Sequence, residues 1–178
     1  MKPYVLVMYN KLKFIIKKIY TPGFCAKGMH MFGRNSKFHF NRDCHIEFGD
    51  RIFSDGRLVI IVDKKGSLKI GDKVYFNENM MISCKGKITI GDGCQFGPNV
   101  KIFDNNHKFD PFHGVLSEHS IGTVEIGEKC WIGTNVVLLK GAKIGRNSVI
   151  GAGCIINRDI PEASIVTQGR DLTIQRMK

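Results

Sequence analysis

Residues 126–161 read IGEKCWIGTNVVLLKGAKIGRNSVIGAGCIINRDIP, and the architecture follows from how their apolar side chains are spaced. Ile126, Ile132, Leu138, Ile144, Ile150 and Ile156 stand six apart without a break, and Gly127, Gly133, Gly145 and Gly151 each follow one of them. A step of six fits neither the 3.6-residue turn of an amphipathic helix nor the two-residue alternation of a half-buried strand. It fits short flat strands between corners, three to a coil of 18 residues, and such a repeat governs a whole chain.

The same step runs upstream. Phe40, Ile46, Ile52, Leu58, Ile70, Phe76, Ile82 and Ile88 keep it, missing only at Lys64, and Ile90, Phe96 and Ile102 resume after a two-residue slip. A second marker, an apolar-x-apolar-Gly-acidic corner, recurs at Ile46 to Asp50, Leu68 to Asp72, Ile88 to Asp92 and Val124 to Glu128, and again from Ala142 with Arg146 in the acidic place. Its third positions, 48, 70, 90 and 126, lie 22, 20 and 36 apart. The last interval is worth two coils, yet Ile90, Phe96 and Ile102 already fill one, so the residues between Ile102 and Ile126 hold a long excursion. Six or so coils stack into a prism whose inward side chains share one column. The expected organisation is a basic N-terminal helix and cap over 1–37, then a β-helix over 38–178 with a loop at 103–123. A closing coil and a short basic tail begin near Asn157.

Length and composition agree with this. A chain of 178 residues with 43% apolar side chains can bury a continuous core, which excludes a disordered tail. The net charge of +11 is uneven: the first 42 residues carry nine Lys or Arg and no acid, leaving 18 basic against 16 acidic residues in the rest. That excludes a uniformly basic nucleic-acid binder and points to an arm that meets an anionic surface. The six cysteines, at 25, 44, 84, 94, 130 and 154, form no C-x-x-C pair, which argues against a zinc cage or a disulfide framework and suits reduced thiols in cytoplasm. With no run of 18 apolar residues and no leader pattern, neither a spanning helix nor a secretory signal is expected, and the mature chain is expected to start at Met1.

Residues 4–20 suit an amphipathic helix. Val5, Met8, Leu12, Ile15, Ile16 and Ile19 share a stripe, with Lys11, Lys13, Lys17 and Lys18 opposite, while Leu6, Val7 and Phe14 interrupt the polar side. Two roles are compatible with this: the stripe covers the open end of the first coil, the favoured reading, or the helix lies on an anionic membrane near acceptors built on lipid carriers.

The ladder, the coil length and the excursion together resemble the hexapeptide-repeat acyltransferases, over roughly residues 38–176 and most specifically over Ile126 to Pro161. The branch most similar is the small sugar and surface-polysaccharide O-acetyltransferases. The resemblance implies an all-β, left-handed parallel β-helix, acetyl-CoA as co-substrate without a metal, a homotrimer with pockets between subunits, and a sugar or lipid-linked glycan as acceptor in cytoplasm. It also implies a catalytic histidine nine residues after the proline of a P-N-V segment; Pro98, Asn99 and Val100 place that at His107. Moving an acyl group from a thioester to a hydroxyl requires a base for the hydroxyl proton, and neutral imidazole suits this near neutral pH.

By the same resemblance Asn77 faces the acceptor; Asp104 and Asp110 flank His107, so either can orient its imidazole, and Asp104 and His113 are expected to bind the acceptor, with His119 also a candidate for its cleft. His113 and His119 also invite a metal reading, which needs a further histidine about two coils upstream; there is none between His45 and His107. Asn105 stands where many relatives carry an additional histidine. For the donor, Gly133, Thr134, Gly151 and Ala152 supply a groove free of bulk, with Trp131 over it, and a backbone N–H near Gly133 suits the thioester oxyanion. Asn157 and Arg158 match a polar-basic pair near the nucleotide, and Arg176 matches a C-terminal arginine, although Gly169 to Leu172 replace the usual small-Pro-Ala-Lys segment before it. The competing readings are an acetyltransferase for a free sugar, serine or antibiotic, and a non-catalytic β-helical scaffold.

Overall fold

In the computed structural model, which describes residues 3–169, the chain after one helix winds through three faces of a prism, coil upon coil. The first face stacks Phe24–Ala26, His45–Phe48, Ser67–Ile70, Lys87–Ile90, Thr123–Ile126, Lys143–Ile144 and Asp159–Ile160 as seven parallel strands. A second face of seven runs from His30–Met31 to Ile165–Val166, and a third of six from Lys37–Phe40 to Ile155–Ile156. Each face contributes a column of inward side chains in register. Phe48, Ile70, Ile90, Ile126, Ile144 and Ile160 lie one above the other. Ser54, Phe76, Phe96, Ile132, Ile150 and Val166 form the second column. Phe38, Ile60, Ile82, Ile102, Leu138 and Ile156 form the third. The all-β parallel helix expected from the six-residue step is therefore present.

Upstream of Lys64 the step lands on a different row. The column there passes through Phe48, Ser54 and Ile60, whereas Ile46, Ile52 and Leu58 form a neighbouring inward row, also fully buried. The second row continues to the far end with smaller side chains, such as Cys94, Val100, Cys130 and Ala142, and Lys64 breaks the ladder because Asp63 to Gly66 turn a corner, with Gly66 N–H on the Asp63 carbonyl at 2.9 Å.

The Gly-acidic corner now has a cause. Asp72 Oδ1 accepts the N–H of Asp50, Asp92 Oδ1 that of Asp72, each at 2.8 Å, and Asp50 Oδ1 that of Met29 at 3.0 Å, so each carboxylate caps the coil before it. The preceding glycine leaves room for that approach: a Cβ on Gly49 would lie 2.3 Å from Asp72 Oδ1 and 2.6 Å from the Gly71 carbonyl carbon.

Two expected boundaries move. The prism starts at Phe24, so residues 24–37 belong to its first coil and not to the cap. Its inward positions are Phe24, His30, Phe32 and Phe38, aromatic side chains that a ladder of Ile and Leu does not register. The segment at 103–123 is not an irregular loop but an antiparallel hairpin, Asn105–Asp110 paired with Gly114–Ile121, turning where Gly114 takes a φ of +69°. The closing coil is as expected, with half-buried Ile160 and Val166 under the core.

The N-terminal helix, Pro3–Tyr20, does cover the first coil, but with the opposite side from the one expected. Phe14 inserts among Phe24, Phe32, Phe38 and Phe48 with ring centroids 5.2–5.8 Å apart, and Asn10 Nδ2 bonds the Phe32 carbonyl at 3.1 Å. Lys13 reaches the Ser36 carbonyl at 2.8 Å and lies over Phe38, while Lys17 lies over Phe40. The apolar stripe faces out.

Candidate active site

Two sets of the expected residues separate onto two edges of the prism. On the edge between the second and third faces, a groove of about 390 Å³ runs along the corners of stacked coils and is lined by Asn77, Pro98, Trp131, Thr134, Gly151 and Ala152, with Gly133 beside them. Five expected donor-side residues meet there. Asn77, expected to face the acceptor, lines the same groove.

The groove is shaped by the repeat. Gly133 is glycine because a Cβ would sit 2.7 Å from the Ala152 backbone nitrogen one coil on, and the same absence of side chain leaves the groove floor open. Thr134 donates its hydroxyl to the Pro98 carbonyl at 2.9 Å, tying two corners together. Asn77 accepts the Glu78 N–H at 2.7 Å, and the corner residue with left-handed backbone is its neighbour Asn79, φ +59°. Trp131 is 58% exposed on the outer row of the second face, between Gln95 and Val149, so its ring borders the groove instead of filling the core.

The hairpin leaves the other edge, between the third and first faces. His107 stands near its base, exposed, directly across from His119, the two rings 4.2 Å apart. Its Nδ1 lies 3.4 Å from the Leu116 carbonyl oxygen. A carbonyl only accepts, so this contact favours the proton on Nδ1 and leaves the Nε2 lone pair free for an incoming proton.

Neither carboxylate expected to orient His107 does so. Asp104 is fully buried and accepts the N–H groups of Lys85 at 2.9 Å and Gly86 at 2.8 Å and the Asn105 amide at 2.9 Å, so it anchors the hairpin base and cannot meet an acceptor. Asp110 accepts the N–H groups of Phe112 and His113 at 2.8 Å, which holds its carboxyl below the usual range, and its oxygens lie 3.2 Å from His113 Nδ1. His113 therefore sits at the hairpin tip, bound to Asp110, away from this chain's groove.

His119 is the residue that sequence reasoning placed least well. Partial burial lowers its pKa, helped by the charge of Lys85, itself paired with Asp63, and by His107. Its spacing carried no such signal: a regular hairpin with Asp110 opposite Gly114 would set His107 across from Ser117, and a register shift between His107 and Phe109 brings it to His119.

Asn157 and Arg158 fall on the hairpin's edge, between Ile155–Ile156 and Asp159–Ile160, not on the groove. One chain thus carries an imidazole and a polar-basic pair on one edge and a narrow groove on another. Arg176 lies outside the described residues. Among the described residues no three His, Cys, Asp or Glu side chains gather as a metal site, and no helix is long and apolar enough to cross a membrane.

Comparison with known proteins agrees with the coil pattern. Residues 123–158 match the family described as bacterial transferase hexapeptide (six repeats). A galactoside O-acetyltransferase of Lactococcus lactis is 34% identical over 110 residues, 62% of this chain and 53% of that protein. Among solved structures, a galactoside acetyltransferase in complex with coenzyme A is 28% identical at a TM-score of 0.51, over 75% of this chain and 58% of that one. A hexapeptide-repeat containing acetyltransferase of Vibrio cholerae, complexed with acetyl coenzyme A, shares the fold at 22% identity and a TM-score of 0.54, over 88% and 71%. The chain spans a little over half the length of the first curated relatives it matches. In its repeat, its register and these matches, the chain is similar to the hexapeptide-repeat acetyltransferases, with the repeat family itself matched over residues 123–158.

Proposed function

We propose that the protein is an acetyl-CoA-dependent O-acetyltransferase acting on a sugar hydroxyl in surface-polysaccharide assembly in the cytoplasm, with His107 as general base. The observation that carries this reading is the pairing of a narrow, small-residue groove under Trp131 with an exposed imidazole whose Nδ1 faces a carbonyl. Solved relatives named as acetyltransferases hold coenzyme A or acetyl coenzyme A, and the groove suits the slender arm of that molecule.

The chemistry is a direct transfer. As the acceptor hydroxyl oxygen attacks the thioester carbonyl carbon, His107 Nε2 takes its proton; the C–S bond then breaks, and the imidazolium returns the proton to the departing sulfur. Negative charge on the carbonyl oxygen is met by a backbone N–H near Gly133. No cysteine intermediate is invoked: five of the six cysteines are buried, and Cys25 lies in the first coil far along the chain from the hairpin.

The separation of the two edges supports a site between copies. His107 projects from one edge and the groove runs along another, so an imidazole reaches a groove when the hairpin edge of one copy meets the groove edge of the next. Exposed Phe109, Phe112 and Val115 on the hairpin supply apolar area for that contact. A homotrimer closes such a head-to-tail arrangement.

Thiol release from acetyl-CoA with a panel of sugar acceptors tests the reading. His107→Ala is expected to lower the turnover rate about 10²- to 10⁴-fold while the protein remains folded and of unchanged mass in solution. Equal rates would remove His107 as the base, and no acceptor-dependent thiol release from the wild type would remove the activity itself.

A further inference from the structure

Because Asn10 and Phe14 are the residues that seal the first coil, the outer side of the N-terminal helix is left without a partner among the described residues. At 100° per residue, Val5, Met8, Leu12, Ile15, Ile16 and Ile19 fall within about 100° of arc, opposite the buried side. Their exposures, such as 64% at Met8, 60% at Leu12 and 71% at Ile19, are far above those of the core. An apolar strip along an 18-residue helix is too continuous to be scattered surface side chains.

What borders the strip identifies its partner. Lys11 and Lys18 lie exposed along one margin, whereas Lys13 and Lys17 are turned onto the coil. Tyr4 lies on the lysine margin and Tyr9 and Tyr20 on the other, all exposed. An apolar strip with lysines and tyrosines at its margins matches the cross-section of a bilayer interface: acyl chains below, phenol rings at headgroup depth, ammonium groups reaching phosphates. Residues 1–42 hold no acid, so a second copy meeting this one strip to strip would offer Lys11 and Lys18 no carboxylate from its own arm, whereas anionic headgroups offer the opposing charge.

We propose that the outer side of the Pro3–Tyr20 helix is a docking face for an anionic phospholipid surface, on which the helix lies parallel to the membrane while its inner side keeps the first coil closed. The proposal stands apart from acetyl transfer. It explains why this helix is apolar on two sides with a charge of one sign between them.

The test floats the full chain through a density gradient with vesicles of phosphatidylcholine alone and of phosphatidylcholine with an equal part of phosphatidylglycerol. The wild type is expected to float with the anionic vesicles and to stay behind with the neutral ones. Leu12→Glu with Ile16→Glu is expected to abolish flotation, and Lys11→Glu with Lys18→Glu to weaken anionic binding about tenfold or more. All four side chains are exposed, so thermal unfolding of both variants should match the wild type. Absence of flotation by the wild type, flotation of the Leu12/Ile16 variant at wild-type level, or a lower solution mass of that variant without any vesicle binding would overturn the proposal, the last outcome giving the face to a second copy. Acetyl transfer to a soluble sugar, measured on the same samples, reports on the enzymatic reading independently of flotation.

Discussion

The two ends of the prism solve one packing problem with different materials. The last coils fill their interior with one large aliphatic side chain per face, Ile126, Ile132, Leu138 and then Ile144, Ile150, Ile156, each beside a small one, Val124, Cys130, Val136, Ala142, Ser148 and Cys154, and their strands are two to four residues long. The first coils are longer, 22 residues from Phe24 to Ile46 and again from Ile46 to Leu68 in register, and a cluster of phenylalanines fills the added width. A wider coil leaves a wider open end, which aromatic rings and a helix close. The narrow end is closed by a final coil of the chain itself.

That difference sets where damage is felt, since each coil touches only its neighbours. Phe14→Ala removes the ring at the centre of the aromatic cluster and is expected to cost about 3–5 kcal/mol, concentrated in the first two coils. Ile150→Ala is expected to cost about 2–5 kcal/mol and to loosen the groove, Gly151 being adjacent. Hydrogen exchange read by segment should show the first change confined to residues before Ser67 and the second to those after Val124; uniform loss of protection in both would mean that the coils unfold as one unit.

The hairpin forms a third environment, with a buried carboxylate at its base. Asp104→Ala leaves the N–H groups of Lys85 and Gly86 without their acceptor in a buried corner and is expected to cost about 3 kcal/mol. Protection of Asn105–Ile121 should fall ahead of the rest, and acetyl transfer should fall with it because His107 loses its placement. A variant with an intact hairpin and lowered activity would instead place Asp104 in the chemistry.

The aromatic end also carries a pH dependence through a buried histidine. His30 is buried with neither ring nitrogen hydrogen-bonded, and burial pushes its pKa down to about 4, Asp50 opposing the shift only in part. In the unfolded chain imidazole titrates near 6.5, so below that pH the unfolded state binds a proton that the folded state refuses. Stability is therefore fully present above about pH 6.5 and falls as pH drops towards 4, by at most about 3 kcal/mol. His30→Leu should flatten the midpoint of unfolding between these pH values; an unchanged slope would place the proton elsewhere.

What the sequence made legible tracks the same contrast. Six-residue spacing of Ile and Leu exposes the narrow coils directly, because the large inward position of each face is aliphatic and each corner has one length. The first coil was hidden because Phe24, His30, Phe32 and Phe38 do not repeat as a type, and only their burial relates them. The helix misled because its most regular apolar row faces outward, while one phenylalanine and one asparagine do the sealing. At the site, the groove residues were readable since they belong to the repeat. The His107–His119 pairing needed the hairpin's register, and Asp104 looked available because sequence shows charge but not the backbone N–H groups that consume it.

The smallest expected effect concerns the corner carboxylates, which mark the wide coils and fade at the narrow end. Asp72 accepts one N–H from the coil before it, at an exposed corner where water can take its place, so Asp72→Ala should cost only about 1 kcal/mol. Arg146 occupies the matching position near the narrow end and makes a surface ion pair with Glu162 at 2.9 Å, an interaction worth little in water. Arg146→Ala should accordingly leave the unfolding midpoint almost unchanged, and so should raised salt. If the two substitutions proved equal, the acid would be serving charge balance alone, and the capping of one coil by the next would contribute nothing to holding the wide end together.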